Sequence, residues 1–275
     1  MARITEFTRD GLTFDVTDAG PLDGPVLVLL HGFPADRSSW RGVAPLLHDA
    51  GFRTLAPDQR GYSPRARPKG RAAYRGRELA RDVLALMDAA GVHRAGVVGH
   101  DWGGIVAWWL AMAAPTRVRH LTAVSVPHPT ALRRSLLSSD QALRSSYAAF
   151  FQLPLLPERL MIPRLDGLLA RSGVPHDFAV DYARRMREPG ALTAALDWYR
   201  AAALPGGGRP NRDGLVHVPT RYIWSSRDAA LGRRAAELTR DQVAGPYEFV
   251  ELDELHWIPE RSPERLAAAI LADRI

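Results

Sequence analysis

Apolar and polar positions along this chain fall into short apolar runs separated by longer amphipathic stretches. Residues 12–17 alternate and predict a half-buried strand, and a shorter strand is expected over 4–8. Val26-Leu27-Val28-Leu29-Leu30 is an unbroken apolar run, the pattern of a strand buried on both faces. The next strand is expected over 51–58, with an intervening helix over 40–50 capped by Ser38 or Ser39. Leu79, Val83, Leu86 and Met87 then recur at helical spacing within 77–90, and Gly91 closes that helix. A strand over 96–98, a helix to Ala114 and a strand over 121–126 follow. Strands alternating with helices predict an α/β chain with a mostly parallel sheet flanked by helices.

The rhythm breaks between Pro127 and Asn211. Only helical stretches are expected here, over 136–151, 159–170, 178–186 and 191–203, divided by Pro154, Pro157, Pro163, Pro175 and Pro189. Pro205-Gly206-Gly207-Gly208-Arg209-Pro210 reads as a linker, after which the alternation resumes. Strands are expected over 220–225 and 247–252, with helices over 233–240 and from Pro263. An all-helical insertion between two sheet-forming halves reads as a cap over the C-terminal edge of the sheet. The expected organisation is a core over 1–127, a cap over 128–213 inserted after the sixth strand, and the second part of the core over 214–275.

Composition narrows the field. The 275 residues suffice for a large core, and no apolar run is long enough to span a bilayer. Residues 1–6 show no apolar stretch of a signal peptide, so cytoplasm is the default expectation and no membrane partner is expected. The absence of cysteine excludes thiol chemistry and disulfides. A net charge of +6 raises the question of nucleic acid. The cations are almost all arginine, scattered among acids, with Lys69 the only lysine; even the densest patch, 60–81, reads as a solvated face. No nucleic-acid partner is expected.

The candidate chemistry centres on Gly99-His100-Asp101-Trp102-Gly103. Gly-x-Asp-x-Gly at a strand-to-helix junction has the form of a nucleophile elbow with aspartate in the serine position. The turn leaves no room for side chains two residues either side of the central one. A carboxylate there faces the positive end of the helix dipole and is already an anion. It suits displacement at a saturated carbon, giving an ester that water then cleaves. The plainer reading makes Asp101 the N-cap of a helix.

Such an ester needs a base, an orienting acid and an oxyanion site. His256 is the only histidine after the last expected strand, and Asp228 follows the strand over 220–225. The order Asp101, Asp228, His256 is the nucleophile–acid–histidine order of this kind of fold. His31-Gly32-Phe33-Pro34 follows a buried strand, where the backbone N–H of Phe33 would join that of Trp102 as oxyanion donors. Pro34 would fix the turn, through a cis bond if it has one. His100 is expected to pack beneath the elbow.

These motifs together resemble the α/β-hydrolase fold, and within it the epoxide hydrolase family. The resemblance covers nearly the whole chain and implies two further residues, cap tyrosines that hold and protonate an epoxide oxygen. The first lies in Tyr147-Ala148-Ala149-Phe150-Phe151-Gln152 and the second in Asp197-Trp198-Tyr199-Arg200, with aspartate where asparagine is commoner before the tryptophan. A plainer reading leaves both tyrosines as packing residues. The resemblance implies an epoxide and water as substrates, a diol as product, and no metal or organic cofactor.

Phe33, Pro34, Trp102, Phe150 and Trp198 are the expected substrate contacts, and Phe151, Leu153, Leu155 and Leu156 add to an expected apolar pocket. Two rivals remain at this level. A haloalkane dehalogenase would use the same aspartate, but resembles this chain less at Phe33, where asparagine is common, and lacks the tyrosine pair. A non-catalytic small-molecule receptor would have no reason to keep every reactive part.

Overall fold

The strands come where the apolar runs place them. In the computed structural model, which describes residues 2–204 and 210–272, eight strands form one sheet. They are β1 (Glu6–Arg9), β2 (Leu12–Ala19), β3 (Val26–Leu30), β4 (Arg53–Pro57), β5 (Ala95–His100), β6 (Val118–Val124), β7 (Thr220–Ser225) and β8 (Tyr247–Leu252). Their order across the sheet is β1-β2-β4-β3-β5-β6-β7-β8, antiparallel at β1–β2 and β2–β4 and parallel elsewhere. The unbroken apolar run in β3 serves both faces. Val28 and Leu30 join the larger core, whereas Leu27 and Leu29 join the core on the other side. Neighbouring residues of β5 divide the same way, Val97 to one core and Val98 to the other.

The helices are α1 (Val43–Asp49), α2 (Gly76–Ala89), α3 (Trp102–Ala113), α4 (Pro129–Ser138), α5 (Gln141–Arg144), α6 (Ser146–Phe150), α7 (Leu156–Met161), α8 (Leu165–Arg171), α9 (His176–Met186), α10 (Ala191–Ala202), α11 (Arg233–Thr239), α12 (Ile258–Arg261) and α13 (Pro263–Leu271). Several expected boundaries shift. The turn before α1 is capped by Asp36, whose side chain accepts from the Ser38 N–H, not by Ser38 or Ser39. The expected helix over 136–151 is three helices. One break lies at Ser139, whose extended backbone ends α4 and whose hydroxyl accepts from the Gln141 N–H instead. The helix expected over 159–170 is divided at Pro163, which sits in a short 3₁₀ turn between α7 and α8. The expected linker over 205–210 lies outside the described residues apart from Pro210.

Helices α4 to α10 lie over one end of the sheet, and their contacts say which. Arg185 on α9 pairs with Asp36 after β3 and with Asp58 after β4. The Trp198 indole on α10 donates to the Arg60 carbonyl after β4. Gln141 on α5 bonds the loop after β7, and Tyr182 on α9 donates to Glu260 after β8. These anchors all sit beyond the carboxyl ends of parallel strands, where open α/β sheets hold ligands. Among the described residues no helix is long and apolar enough to cross a membrane.

Candidate active site

Asp101 stands between β5 and α3 with φ 51° and ψ −122°, a left-handed backbone that an aspartate adopts only under constraint. The constraint is visible in the flanking glycines. A Cβ on Gly99 would lie 2.3 Å from the Gly103 carbonyl oxygen, and one on Gly103 would lie 2.2 Å from that of Leu30. The strained turn lifts the carboxylate out of the helix, so Asp101 makes no side-chain cap bond. Its Oδ1 instead accepts from the Phe33 N–H at 2.8 Å. Burial works against its ionisation, but His256, His100 and the Phe33 N–H outweigh that and hold it below the usual carboxylate range. Trp102 is the first residue of α3, so its N–H has no acceptor within the helix.

The loop that presents Phe33 is itself pinned. His31 is fully buried, and its Nε2 accepts from the Gln59 N–H at 3.1 Å, while the Gln59 amide donates to the His31 carbonyl at 2.6 Å. The Phe33–Pro34 peptide bond is cis.

His256 follows β8 and Asp228 follows β7. The His256 Nδ1 lies 2.6 Å from Asp228 Oδ2, and its Nε2 lies 3.6 Å from Asp101 Oδ2. Asp228 is buried, and its Oδ1 accepts from the N–H groups of Ala230 (2.7 Å) and Leu231 (3.1 Å). Burial opposes a charged imidazole, but the charges of Asp228 and Asp101 and their hydrogen bonds raise His256 well above the ordinary histidine range. The backbone of His256 is fixed from below. Its carbonyl oxygen lies 2.9 Å from His100 Nε2 and 2.9 Å from Ser125 Oγ. Burial first, and then the charge of His256, lower His100 to about 4, so its neutral ring packs beneath the elbow as a hydrogen-bonding prop.

Tyr147 on α6 and Tyr199 on α10 meet across the site, with ring centroids 6.1 Å apart. Burial, followed by the charges of neighbours that include Asp101, raises both phenols above their ordinary range, so both keep their protons. Tyr147 remains 38% exposed as a residue even though its hydroxyl is desolvated. The residues flanking the tyrosines tie α6 to α10 reciprocally. Gln152 Nε2 donates to the Tyr199 carbonyl at 3.1 Å, and Arg200 Nε donates to that of Phe151 at 3.0 Å.

An aromatic wall encloses these groups. Phe33 packs against Tyr199 (5.3 Å) and Phe151 (5.7 Å), and Trp102 packs against Tyr199 (4.9 Å) and Trp198 (5.8 Å). Pro34 is buried beside Phe33. The expected wall residue Phe150 is half-buried with its ring against Phe151, and it is Phe151 that meets Phe33 and Tyr199. A helix turns successive residues through about 100°, so two adjacent phenylalanines cannot both face the site. Leu153, Leu155 and Leu156 are exposed and add nothing to the wall.

Sequence reasoning missed Gln152, Arg200 and Ser125 as supports. The first two flank the tyrosine motifs, a signal that was available; Ser125 gave none.

The family model described as alpha/beta hydrolase fold matches residues 25–263. The AB hydrolase superfamily protein YfhM of Bacillus subtilis is 38% identical over 271 residues, covering 95% of this chain and 94% of that protein. Epoxide hydrolase A of Mycobacterium tuberculosis is 31% identical over 313 residues, covering 95% and 94%. A solved structure described among novel epoxide hydrolases from metagenomes of hot environments superposes with a TM-score of 0.85 at 30% identity, covering 98% and 97%. Similarity at this level runs through the strands, the elbow and the helical insertion alike, and the chain belongs to the epoxide hydrolase family of the α/β-hydrolase fold.

Proposed function

We propose that this chain opens apolar epoxides to vicinal diols through a covalent ester on Asp101, with residues 128–213 acting as the cap and 1–127 with 214–275 as the core. The observation that carries the reading is the opposition of an ionised carboxylate to two protonated phenols across an aromatic-walled site. An epoxide needs both at once, a nucleophile at carbon and acids at oxygen.

In the first half-reaction an Asp101 oxygen bonds to a ring carbon and the carbon–oxygen bond of the epoxide breaks. Tyr147 and Tyr199 hold the developing alkoxide, and one of them gives it a proton. In the second, water attacks the Asp101 carbonyl carbon and His256 takes its proton, with Asp228 orienting the imidazole. The oxyanion sits on the N–H groups of Phe33 and Trp102. Collapse breaks the ester bond, the diol oxygen recovers the proton from His256, and the proton left on the carboxyl returns to the tyrosine through solvent.

Electrostatics support this order. In the resting site the Asp101 anion helps to keep His256 protonated. Esterification neutralises Asp101, removes that attraction and lowers the imidazole toward the neutral form a general base requires. The base is thus released by the first step.

The test is a panel of aryl and alkyl epoxides and haloalkanes, assayed for diol and halide with Asp101→Ala as control. Diol without halide, lost in the variant, is the expected result. Halide without diol would make the chain a dehalogenase. Ligand-induced stabilisation without either product would make it a receptor.

A further inference from the structure

The cap reaches the acid as well as the substrate. On α5, the fully buried Gln141 donates from Nε2 to the Ala230 carbonyl at 2.7 Å and accepts at Oε1 from the Gly232 N–H at 2.9 Å. Arg144, one turn on, donates to the carbonyls of Asp228 (3.1 Å) and Ala229 (3.2 Å). These are the outward-facing groups of the loop that carries the acid. Its inward-facing groups are the N–H donors of Ala230 and Leu231, both bonded to Asp228 Oδ1.

The planar trans peptide links the two sets. The carbonyl of residue i and the N–H of residue i+1 belong to one rigid unit and point in opposite directions. Arg144 therefore holds the Ala229 carbonyl of the same unit whose N–H, from Ala230, reaches Asp228. Gln141 holds the Ala230 carbonyl of the unit whose N–H, from Leu231, reaches Asp228. Each donor that fixes the carboxylate is aimed by a cap side chain gripping the opposite end of its peptide. A donor on the carbonyl also polarises the unit and strengthens its N–H. With Oδ1 so occupied, Oδ2 is left to His256 Nδ1 at 2.6 Å.

We propose that Gln141 and Arg144 are positioning residues that aim the Asp228 carboxylate at His256 from the cap. Tyr147, three residues after Arg144, serves the epoxide oxygen under the reading above, on which only the kinetic part of this inference rests. One short cap segment then supports both half-reactions, ring opening through Tyr147 and ester hydrolysis through Gln141 and Arg144.

The groups that set the charge of His256 are Asp228, Asp101 and His100, with Glu260 from α12. Only Asp228 is touched by the proposed pair. The test uses Gln141→Leu and Arg144→Met in the whole chain, with Arg144→Lys as the conservative control. The first readout is the titration of the His256 imidazole by NMR in the resting protein, which needs no substrate. Both variants are expected to titrate lower, by about one pH unit, a tenfold change in the protonation equilibrium, and Arg144→Lys is expected to stay near the parent.

The second readout is single turnover with an epoxide. Ring opening should stay within about threefold of the parent, while ester hydrolysis slows about tenfold and the ester accumulates. Arg144 is partly exposed, so its replacement carries the test if Gln141→Leu does not fold. An unchanged His256 titration in the folded variants overturns the proposal, as does an equal slowing of both steps. If the parent turns over no epoxide, the proposed function fails, while the titration still decides the inference.

Discussion

The two sides of this site are built by different means. Asp101, Asp228 and His256 stand just beyond the ends of β5, β7 and β8, strands held in register by a continuous ladder of backbone bonds. Tyr147 and Tyr199 stand on helices of the insertion, one of them only five residues long. Besides apolar packing on the larger core, side chains hold those helices over the sheet, among them Arg185 to Asp36 and Asp58, Trp198 to Arg60, Tyr182 to Glu260, and Gln141 and Arg144 to the acid loop. On the core side, position follows from the backbone. On the cap side it follows from apolar packing on the larger core and from side-chain polar contacts that can be removed one at a time. Damage to the core residues should therefore be close to absolute, and damage to the cap graded.

The largest expected effect is at the elbow. Asp101→Asn keeps the shape of the side chain but removes the nucleophile, and should lower steady-state turnover by at least about 10⁴-fold. A residue that were only a helix cap would show no such loss. The cap should respond by degrees. Tyr147→Phe and Tyr199→Phe should each cost about 10- to 100-fold in kcat/KM, since one phenol remains, and the double variant about 10³-fold. Singles as inactive as Asp101→Asn would break the comparison.

The tethers come next. Arg185→Gln leaves Asp36 and Asp58, both buried, without a shared cation, although Arg37 still reaches Asp58 at 2.7 Å. Stability to urea should fall by about 2–3 kcal/mol, less than for an isolated buried pair because Arg185 is partly exposed and Arg37 remains.

The smallest effect is a pH-dependent one. Burial holds Glu260 up to about 7 from its ordinary 4.5, with Tyr182 donating to its Oε1 at 2.9 Å and no partner at Oε2 among the described residues. Between those two values the folded chain keeps a proton that the unfolded chain has released. Stability is thus complete below about 4.5 and declines as pH rises through 7. Glu260→Gln stays neutral throughout, so its Tm should exceed the parent's by a few degrees at pH 8 and match it at pH 5. A difference of the same size at both values would contradict that account.

The same contrast explains what could be read in the chain. The elbow and the Phe33 loop are local patterns. Gly99 and Gly103 are required by atoms within the turn and by the adjacent strand, so short spacing carries the information. The parallel sheet was legible for a like reason, because β3 and β5 alternate between two cores. The stretch between β6 and β7 was legible only as a helical insertion. Its breaks at Ser139 and Pro163 depend on local competition between side chain and backbone. Its placement depends on pairs far apart in sequence, Arg185 with Asp58 and Gln141 with Ala230, where no periodicity marks the partner. Phe151, not Phe150, faces Phe33, and the contacts that tie this end of α6 to α10, Gln152 with Tyr199 and Arg200 with Phe151, are likewise distant in sequence.

The covalent ester is the central claim, and one turnover in ¹⁸O-labelled water tests it most directly. With enzyme in excess over epoxide, the account predicts that the diol's new oxygen comes from Asp101 and is unlabelled. The peptide carrying Asp101 should be heavier by about 2 Da, the difference between the two oxygen isotopes. Label in the diol on that first turnover, with the Asp101 peptide unchanged, would mean that water attacks the epoxide directly and that Asp101 is not the nucleophile.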